Sequence, residues 1–273
     1  MKVQVIGLGT VGLPTAVHLA RFFDVVGYDI SPDKLEKASK LITVSCSPVK
    51  ADVYVIAVNT GINGDNTLDM SAIFDVGSEI ARLQPNALVT IESTVAVGVC
   101  RQVAECFGFK RLVHCPHRYW SVDTIRYGVV QKRILGALNE ESLMAGEGFY
   151  FKSKIPLHKV SSLEVAELAK ITENAYRFVE IAFAESLAIT CNKFAISFEE
   201  VKTACNTLKR PEYKYQIQVL DAKNGVGRHC LPKDTRYLLS MMPSELLEGA
   251  ILTDKFYKLW HKRLSKEESE NYA

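Results

Sequence analysis

The chain opens with MKVQVIGLGTVG, residues 1–12, and this stretch decides the fold. KVQVIG is a short β-branched run of the kind that forms a buried parallel strand. Gly7, Gly9 and Gly12 then give the spacing G-x-G-x-x-G, and apolar residues recur after them at roughly helical spacing. A strand, a glycine-rich turn and a helix in this order are typical of the start of a dinucleotide-binding βαβ unit.

Each glycine of this loop has its own expected role. Gly7 makes the tight turn, Gly9 lets the backbone approach a pyrophosphate, and Gly12 lets helix and strand pack closely. Thr10 and Val11 stand where the helix begins, and the unpaired N–H groups of a helix N-terminus attract an anion. We therefore expect all five residues to bind the cofactor. The alternative is a glycine-rich turn in a fold that binds nothing.

A second strand, DVVGYD at residues 24–29, ends in an acidic residue. Asp29 lies 29 − 12 = 17 positions beyond the last glycine, close to the spacing of about 20 expected for a ribose-binding acid. Its carboxylate would accept hydrogen bonds from the adenosine ribose and repel a 2′-phosphate, which favours NAD over NADP. The alternative is a loop carboxylate without a ligand.

Strands and helices go on alternating after Asp29. Strand-like runs occupy residues 51–58, 87–94 and 110–116, and helical periodicity occupies 68–83 and 97–108. This pattern predicts a Rossmann-type, doubly wound, mostly parallel sheet, whose ligands bind beyond the carboxyl ends of the strands. The polar and proline residues at such ends are Asn59, Thr60, Glu92, Ser93, Thr94, Pro116 and His117. Residues of this kind also often only cap loops.

The second half of the chain is helical in character. We predict a Rossmann domain over residues 1–160, a helical domain over 161–264 and a polar tail over 265–273. Lys170 and Asn174 are four positions apart in a long helical pattern, so they share a helix face. A lysine in this setting is often only a surface residue whose stem covers apolar neighbours.

GVGRHCLPKD, residues 225–234, places one cysteine in a glycine-rich loop. Asp234 follows Cys230 by four positions. A cysteine beside basic residues can be an activated nucleophile. Free cysteines are more often small buried hydrophobic residues, and the sequence of the loop leaves both interpretations open.

Composition excludes several functional classes. The net charge of the 273 residues is +2, which is too small to indicate a nucleic-acid or membrane partner. No apolar run approaches the roughly 18 residues of a membrane span, and the start of the chain lacks the apolar core of a signal peptide. The seven cysteines include no C-x-x-C pair, so we expect no zinc or redox motif and a reduced, cytoplasmic setting.

Four segments in one order carry a resemblance to a known family. GLGTVGLP, IEST, ELAKITENAYR and GVGRHCLPKDTRYLL resemble the UDP-glucose/GDP-mannose dehydrogenase family, the UDP-sugar 6-dehydrogenases, over residues 1 to about 263. The resemblance implies an NAD-dependent oxidoreductase that acts on a CH–OH group and uses NAD twice to oxidise a sugar C6 alcohol to a carboxylate. It also implies a homodimer formed through the helical domain.

The family's functional residues match positions of this chain. Cys230 matches the cysteine that traps the aldehyde as a thiohemiacetal, which then becomes a thioester. Lys170 and Asn174 match the residues that stabilise alkoxide charge and contact the substrate, and Thr94 and Asp234 match those that orient or activate water. The resemblance places NAD at the glycine loop and Asp29, and we extend this site to the strand-end residues Asn59, Thr60, Ser93 and Thr94.

Three features depart from the family pattern. His117 stands where the family has a glutamate used in thioester hydrolysis, and histidine can act as a general base near neutral pH. Arg228 replaces a loop glycine and is expected to bind a substrate phosphate or carboxylate as a bidentate donor. The chain stops where the family's C-terminal UDP-binding domain would begin.

These departures leave three interpretations open. The first is a dehydrogenase that oxidises the primary alcohol of a nucleotide sugar, or of a smaller substrate, fully to the acid. The second is a two-electron dehydrogenase or reductase that stops at the aldehyde. The third is a non-catalytic, NAD-binding regulatory subunit.

Overall fold

A computed structural model describes residues 1–63, 68–118, 123–208, 218–222, 224–227 and 230–270. The chain divides into two compact units, Met1–Lys170 and Ile171–Ala273. The domain boundary near residue 160 stays a prediction. Arg228, a predicted substrate-binding residue, lies outside the described residues.

An eight-stranded sheet forms the centre of the first unit. The strands are, in chain order, β1 (Lys2–Ile6), β2 (Asp24–Tyr28), β3 (Thr43–Val44), β4 (Val53–Ile56), β5 (Gly61–Ile62), β6 (Leu68–Asp69), β7 (Leu88–Ile91), β8 (Leu112–His114), β9 (Arg133–Ala137) and β10 (Leu157–Lys159). The sheet order is β10-β9-β8-β7-β4-β1-β2-β3, while β5 and β6 form a separate antiparallel pair. Every pairing in the large sheet is parallel except β8 with β9, so the prediction of a mostly parallel sheet is confirmed.

Helices cover both faces of this sheet. They are α1 (Gly12–Leu19), α2 (Pro32–Ser39), α3 (Ser71–Leu83), α4 (Val99–Phe107) and α5 (Glu140–Lys152). Alternate residues of β4 face opposite sides, as the two-residue period of a strand requires. Tyr54 and Ile56 join a cluster with residues of α3 and α4, whereas Val53 and Val55 join one with residues of α1 and α5.

The antiparallel strand β9 was not predicted from the sequence. A parallel neighbour needs a crossover connection, usually a helix. Between β8 and β9 the described residues contain only a short π-helical turn, Ile125–Val129, so the chain returns in the opposite direction. Gly136 of β9 lets the start of the next long helix approach, since a Cβ there would lie 2.3 Å from the carbonyl oxygen of Ser162.

The second unit is helical, as predicted. Its elements are most of α6 (Leu163–Lys193), then α7 (Phe198–Cys205), α8 (Cys230–Met241) and α9 (Glu245–Glu270). Ser197 caps α7 by accepting a hydrogen bond from the Glu200 N–H at 3.3 Å. One buried cluster contains Phe178, Ala182, Val226 and Ala250, and a second contains Ala184, Ala222 and Tyr257. In the part of the chain that the structure describes, no helix is long and apolar enough to span a membrane.

Candidate functional site

The glycine loop between β1 and α1 has the shape that its sequence predicts. Gly7 has a φ of +92°, and a Cβ there would lie 2.4 Å from the Ala57 carbonyl oxygen. A Cβ on Gly12 would lie 1.8 Å from the Gly7 carbonyl oxygen. Gly9, by contrast, has no atom within 4 Å of its Cβ position, so space is open where a pyrophosphate would approach the backbone. The other two predicted loop residues are Thr10, which is exposed, and Val11, which is half-buried.

Asp29 lies beside this loop at the end of β2. Its carboxylate is 4% exposed and accepts hydrogen bonds from the Leu8 N–H at 2.7 Å and the Ser31 N–H at 2.9 Å. The Lys34 ammonium pairs with it at 3.2 Å. These contacts hold the predicted ribose-binding acid next to the loop that would hold the pyrophosphate, so the residues fit a dinucleotide.

The predicted residues at the ends of β4 and β7 contact one another. Thr60 Oγ1 donates to the Thr94 carbonyl oxygen at 2.7 Å, and Ser93 Oγ donates to the Val58 carbonyl oxygen at 2.7 Å. The side chain of Asn59 is exposed. The structure therefore brings Thr60, Ser93 and Thr94 to one edge of the sheet, as expected for the carboxyl ends of parallel strands.

A buried polar network surrounds Glu92, the first residue after β7. Its Oε1 atom accepts a hydrogen bond from the Tyr150 hydroxyl at 2.7 Å and lies 2.8 Å from Nη1 of Arg133. Its Oε2 atom lies 2.5 Å from Nε2 of His117. The side chains of Glu92 and Arg133 are both fully buried. Sequence reasoning missed Arg133 and Tyr150, because nothing in their local segments indicates that they meet Glu92.

Neighbouring charges oppose the effect of burial on the pKa of Glu92. On the pKa of His117, Arg133 and Lys170 reinforce the effect of burial. Burial alone would raise the pKa of Glu92, but the Arg133 guanidinium, His117 and the Tyr150 hydrogen bond together lower it to about 2. The pKa of His117 is lowered to about 4. Burial is the main cause, the positive charges of Arg133 and Lys170 lower the pKa further, and the Glu92 carboxylate opposes them by raising it. At neutral pH the carboxylate is therefore ionised and the imidazole is neutral.

Two residues of α6 contribute to the first unit. Lys170 is 8% exposed, so it is not the surface lysine that its spacing alone would allow, and its charge acts on His117. Glu167, one turn earlier in that helix, accepts hydrogen bonds from the Gly98 N–H at 2.6 Å and the Cys100 N–H at 2.8 Å. Glu167 thus fixes α6 against the first turn of α4.

The second unit brings two more predicted residues into contact. Cys230 is the first residue of α8 and is exposed, so it is not one of the buried thiols. Asp234 lies one turn later on α8 and is 1% exposed. Its Oδ2 accepts a hydrogen bond from Asn174 Nδ2, and its Oδ1 lies 2.8 Å from Nζ of Lys233. Asn174 of α6 and Asp234 are therefore joined directly.

The segment before Cys230 is anchored at Val226. Its N–H donates to Asp254 Oδ1 at 2.8 Å, and its carbonyl oxygen accepts from Lys258 Nζ at 2.9 Å. Behind this contact, burial and the Asp254 carboxylate raise the pKa of Glu185 to about 8. Sequence reasoning missed these three charged residues. Within the described segments, His, Cys, Asp and Glu side chains form no group of three or more that could hold a metal ion.

Two family models match the chain. Residues 39–154 match the NAD binding domain of the UDP-glucose/GDP-mannose dehydrogenase family, and residues 164–255 match the central domain of the same family. The second match contains Lys170, Asn174, Cys230 and Asp234. Because the first match is to an NAD binding domain, the prediction of NAD as the cofactor is confirmed.

Individual relatives agree with these matches. The UDP-N-acetyl-D-mannosamine dehydrogenase of Campylobacter jejuni is 28% identical over 292 residues, covering 89% of this chain and 68% of that enzyme. The enzyme of that name from Pyrococcus horikoshii is 29% identical, covering 88% of this chain and 64% of the relative. The solved structure of the UDP-D-ManNAc dehydrogenase from Pyrococcus horikoshii has a TM-score of 0.85 at 26% identity, covering 100% of this chain and 72% of that one.

This chain thus spans about two thirds of the length of the curated relatives that it matches. The two family matches lie next to each other and include both the strand-end residues and the helices that carry the predicted catalytic groups. The resemblance predicted from four short segments is confirmed, and the chain belongs to the UDP-glucose/GDP-mannose dehydrogenase family.

Proposed function

We propose that the protein is an NAD-dependent dehydrogenase that oxidises the primary alcohol of a nucleotide sugar to a carboxylate. The observation that carries this proposal is the contact of Asn174 with Asp234. Asp234 lies one helical turn after the exposed Cys230, and all three residues lie within the match to the family's central domain. Relatives are named for UDP-N-acetyl-D-mannosamine, which makes it the first substrate to test.

The first unit would bind NAD. The open space at Gly9 admits the pyrophosphate, and the carboxylate of Asp29 faces the ribose. Thr60, Ser93 and Thr94 lie at the strand ends, where such sheets bind their ligands. Bound NAD supplies the acceptor for a hydride from the substrate carbon.

The covalent chemistry is assigned to Cys230. The alcohol first loses a hydride and a proton to give an aldehyde, and the Cys230 thiolate adds to it, forming a C–S bond. Loss of a second hydride converts the thiohemiacetal into a thioester. Water then attacks, the C–S bond breaks, and the acid leaves with the thiolate restored. Each substrate consumes one water and reduces two NAD.

The remaining predicted residues support these steps. The ammonium of Lys170 and the amide of Asn174 would stabilise the oxyanion and contact the substrate. Thr94 and Asp234 would orient water, and Asp234 already holds the Asn174 amide. His117 would accept the proton of the attacking water, and Arg228 would contact a substrate phosphate or carboxylate.

Product stoichiometry tests the proposal. Purified protein is incubated with NAD and UDP-N-acetyl-D-mannosamine, UDP-glucose or simple primary alcohols, and NADH and acid are counted. We expect two NADH for each acid with one of the nucleotide sugars, and no acid from Cys230→Ser. Cys205→Ser, which removes another exposed cysteine, is the matched control. Bound NAD without NADH from any of these substrates would refute the proposal.

A two-electron reaction is the second candidate function. His117 stands where the family has its glutamate and its Nε2 is held by Glu92, and a reaction that stops at the aldehyde would need no hydrolysis step. One NADH for each aldehyde would support this reaction. If neither reaction occurs and Cys230→Ser leaves the cellular effect intact, the regulatory interpretation is favoured.

The assembly and the location stay proposals. Tyr176 and Phe183 are 65% and 62% exposed and lie seven positions apart on α6, which supports a homodimer through the helical unit. Light scattering of the purified protein would test it. The cytoplasmic location is tested by fractionating cells that produce the protein.

A further inference from the structure

Glu185 is a buried carboxyl group that the proposed chemistry does not use. It lies on α6 in the second unit and is 0% exposed. Both of its oxygens are buried, and neither meets a hydrogen-bond donor among the residues that the structure describes. An ionised carboxylate in this position would lose its hydration without compensation, which costs free energy. Burial therefore favours the neutral carboxylic acid.

The titratable groups that face Glu185 belong to α9. They are the Asp254 carboxylate, the Tyr257 phenol and the Lys258 ammonium. Lys258 Nζ pairs with Asp254 Oδ2 at 2.8 Å and donates to the Val226 carbonyl oxygen at 2.9 Å. This ammonium balances one carboxylate, so a second negative charge on Glu185 would be unbalanced. Burial and the Asp254 carboxylate accordingly raise the pKa of Glu185 to about 8.

Asp254 also holds the chain segment that leads to Cys230. We call residues 224–227 the anchor segment. Asp254 Oδ1 accepts a hydrogen bond from the Val226 N–H at 2.8 Å. The anchor segment fits closely at this point, because a Cβ on Gly225 would lie 3.0 Å from the same oxygen. A change of charge beside Asp254 therefore acts on the anchor segment.

The anchor segment and the start of α8 share one apolar cluster. Val226 is 2% exposed and packs there with residues of α6 and α9. Leu231, the second residue of α8, packs against the same cluster. Because Cys230 is the residue before Leu231, a displacement of Val226 would reach the helical turn that carries the thiol.

We propose that Glu185 is a positioning residue that keeps a proton at neutral pH, donates it to Asp254, and so holds the anchor segment and the start of α8 in place. This inference deepens the proposed function and rests on it only for the role of Cys230. When the anchor segment opens and water reaches Glu185, the proton passes to water and the carboxylate becomes hydrated. Opening is therefore favoured as the pH rises.

The pH range of this effect follows from the pKa of Glu185 in the two states. The pKa is about 8 in the closed state and returns to 4.5 when the carboxyl group is hydrated. The stability that the proton gives to the closed state is complete below pH 4.5 and is lost as the pH rises to 8. Within this range each pH unit multiplies the equilibrium constant for opening by up to about ten.

Carbon-13 NMR of the glutamate carboxyl groups tests the proton directly in the wild-type chain. The signal of Glu185 is assigned through bonds from its own backbone, so the measurement does not depend on any variant folding. We expect a neutral carboxylic acid at pH 7 that ionises near pH 8. Ionisation near the ordinary value of 4.5 would overturn the proposal.

Hydrogen exchange tests the positioning role without substrate. The protection of the Val226 amide is corrected for the intrinsic exchange rate at each pH. In wild type we expect it to fall at least about tenfold between pH 5.5 and 8, with the Thr235 amide of α8 falling in parallel. In Glu185→Gln, which keeps the size and the neutral charge of the protonated side chain, both protections should stay constant. Glu180→Gln, which removes an acid that pairs with Arg177 on the same helix, is the matched control and should behave as wild type.

The outcomes separate this inference from the proposed function, because neither measurement uses NAD or a sugar. The same pH dependence of the Val226 amide in wild type and in Glu185→Gln would overturn the role of Glu185. A Thr235 amide that does not follow Val226 would overturn the link to α8. A protein that shows the expected proton and protection but forms no NADH would overturn the proposed function and leave the role of Glu185 in the fold supported.

Discussion

Acid should destabilise the first unit through two buried histidines, His114 and His117. Both rings are buried, and burial lowers the pKa of each from 6.5 to about 4. The unfolded chain therefore binds protons between pH 6.5 and about 4 that the folded chain does not bind. The stability that depends on neutral rings is complete above pH 6.5 and is lost as the pH falls towards 4.

The size of this effect follows from the two pKa values. A pKa difference of one unit corresponds to about 1.4 kcal/mol, so each histidine accounts for about 3 kcal/mol across this range. Together they approach ~6 kcal/mol, a large share of the 5–15 kcal/mol by which domains are typically stable. The lowered pKa of Glu92, about 2, adds a separate loss that begins only as the pH falls below 4.5.

Urea unfolding at a series of pH values would measure the effect. Hydrogen exchange of β7 and β8, corrected for the intrinsic exchange rate at each pH, would report the first unit alone. In His117→Gln we expect the free energy of unfolding to fall about 3 kcal/mol less between pH 7 and 4 than in wild type. His158→Gln, at an exposed position, is the control. If the pH curve of His117→Gln runs parallel to that of wild type, the reasoning about burial is wrong.

Four further substitutions have defined expected outcomes. Gly12→Ala would place a methyl group 1.8 Å from a carbonyl oxygen of the loop, so we expect a loss of at least ~1–3 kcal/mol in thermal unfolding. Gly9→Ala should keep the melting temperature but weaken NAD binding at least about tenfold in calorimetry, and unchanged affinity would contradict the assigned pyrophosphate site. Asp254→Ala removes the acceptor of the Val226 N–H, which should cost about 1–3 kcal/mol in chemical denaturation and speed exchange of that amide. Glu185→Gln should gain stability relative to wild type as the pH rises from 4.5 to 8, because the folded state of wild type retains a proton that the unfolded state loses; denaturation at pH 5 and 9 checks this.

The sequence predicted those parts of the fold whose signal is local. The β-branched runs located β1, β2, β4, β7 and β8 because strands buried on both faces are apolar wherever they occur. The glycine loop was recognisable because backbone geometry demands its residue types. Ser197 was recognisable as a cap for a similar reason, since its hydroxyl meets an amide only three residues away.

The missed features depend on tertiary contacts. The direction of β9 follows from its connection and not from the apolar pattern of RILGA. Arg133 resembles any surface cation until the fold places Glu92 beside it. The burial of Lys170 and the exposure of Cys230 were likewise undecided, because periodicity shows which residues share a face but not how deeply each residue is covered.

The carboxylate of Asp29 links the choice of cofactor to the structure of the glycine loop. The group expected to reject a 2′-phosphate also accepts the Leu8 N–H, inside the glycine loop. Replacing Asp29 in order to admit NADP would leave the Leu8 N–H without this acceptor and loosen the glycine loop. A change of preference from NAD to NADP therefore requires a second substitution that restores an acceptor for this amide, so a single mutation at Asp29 is not expected to be enough.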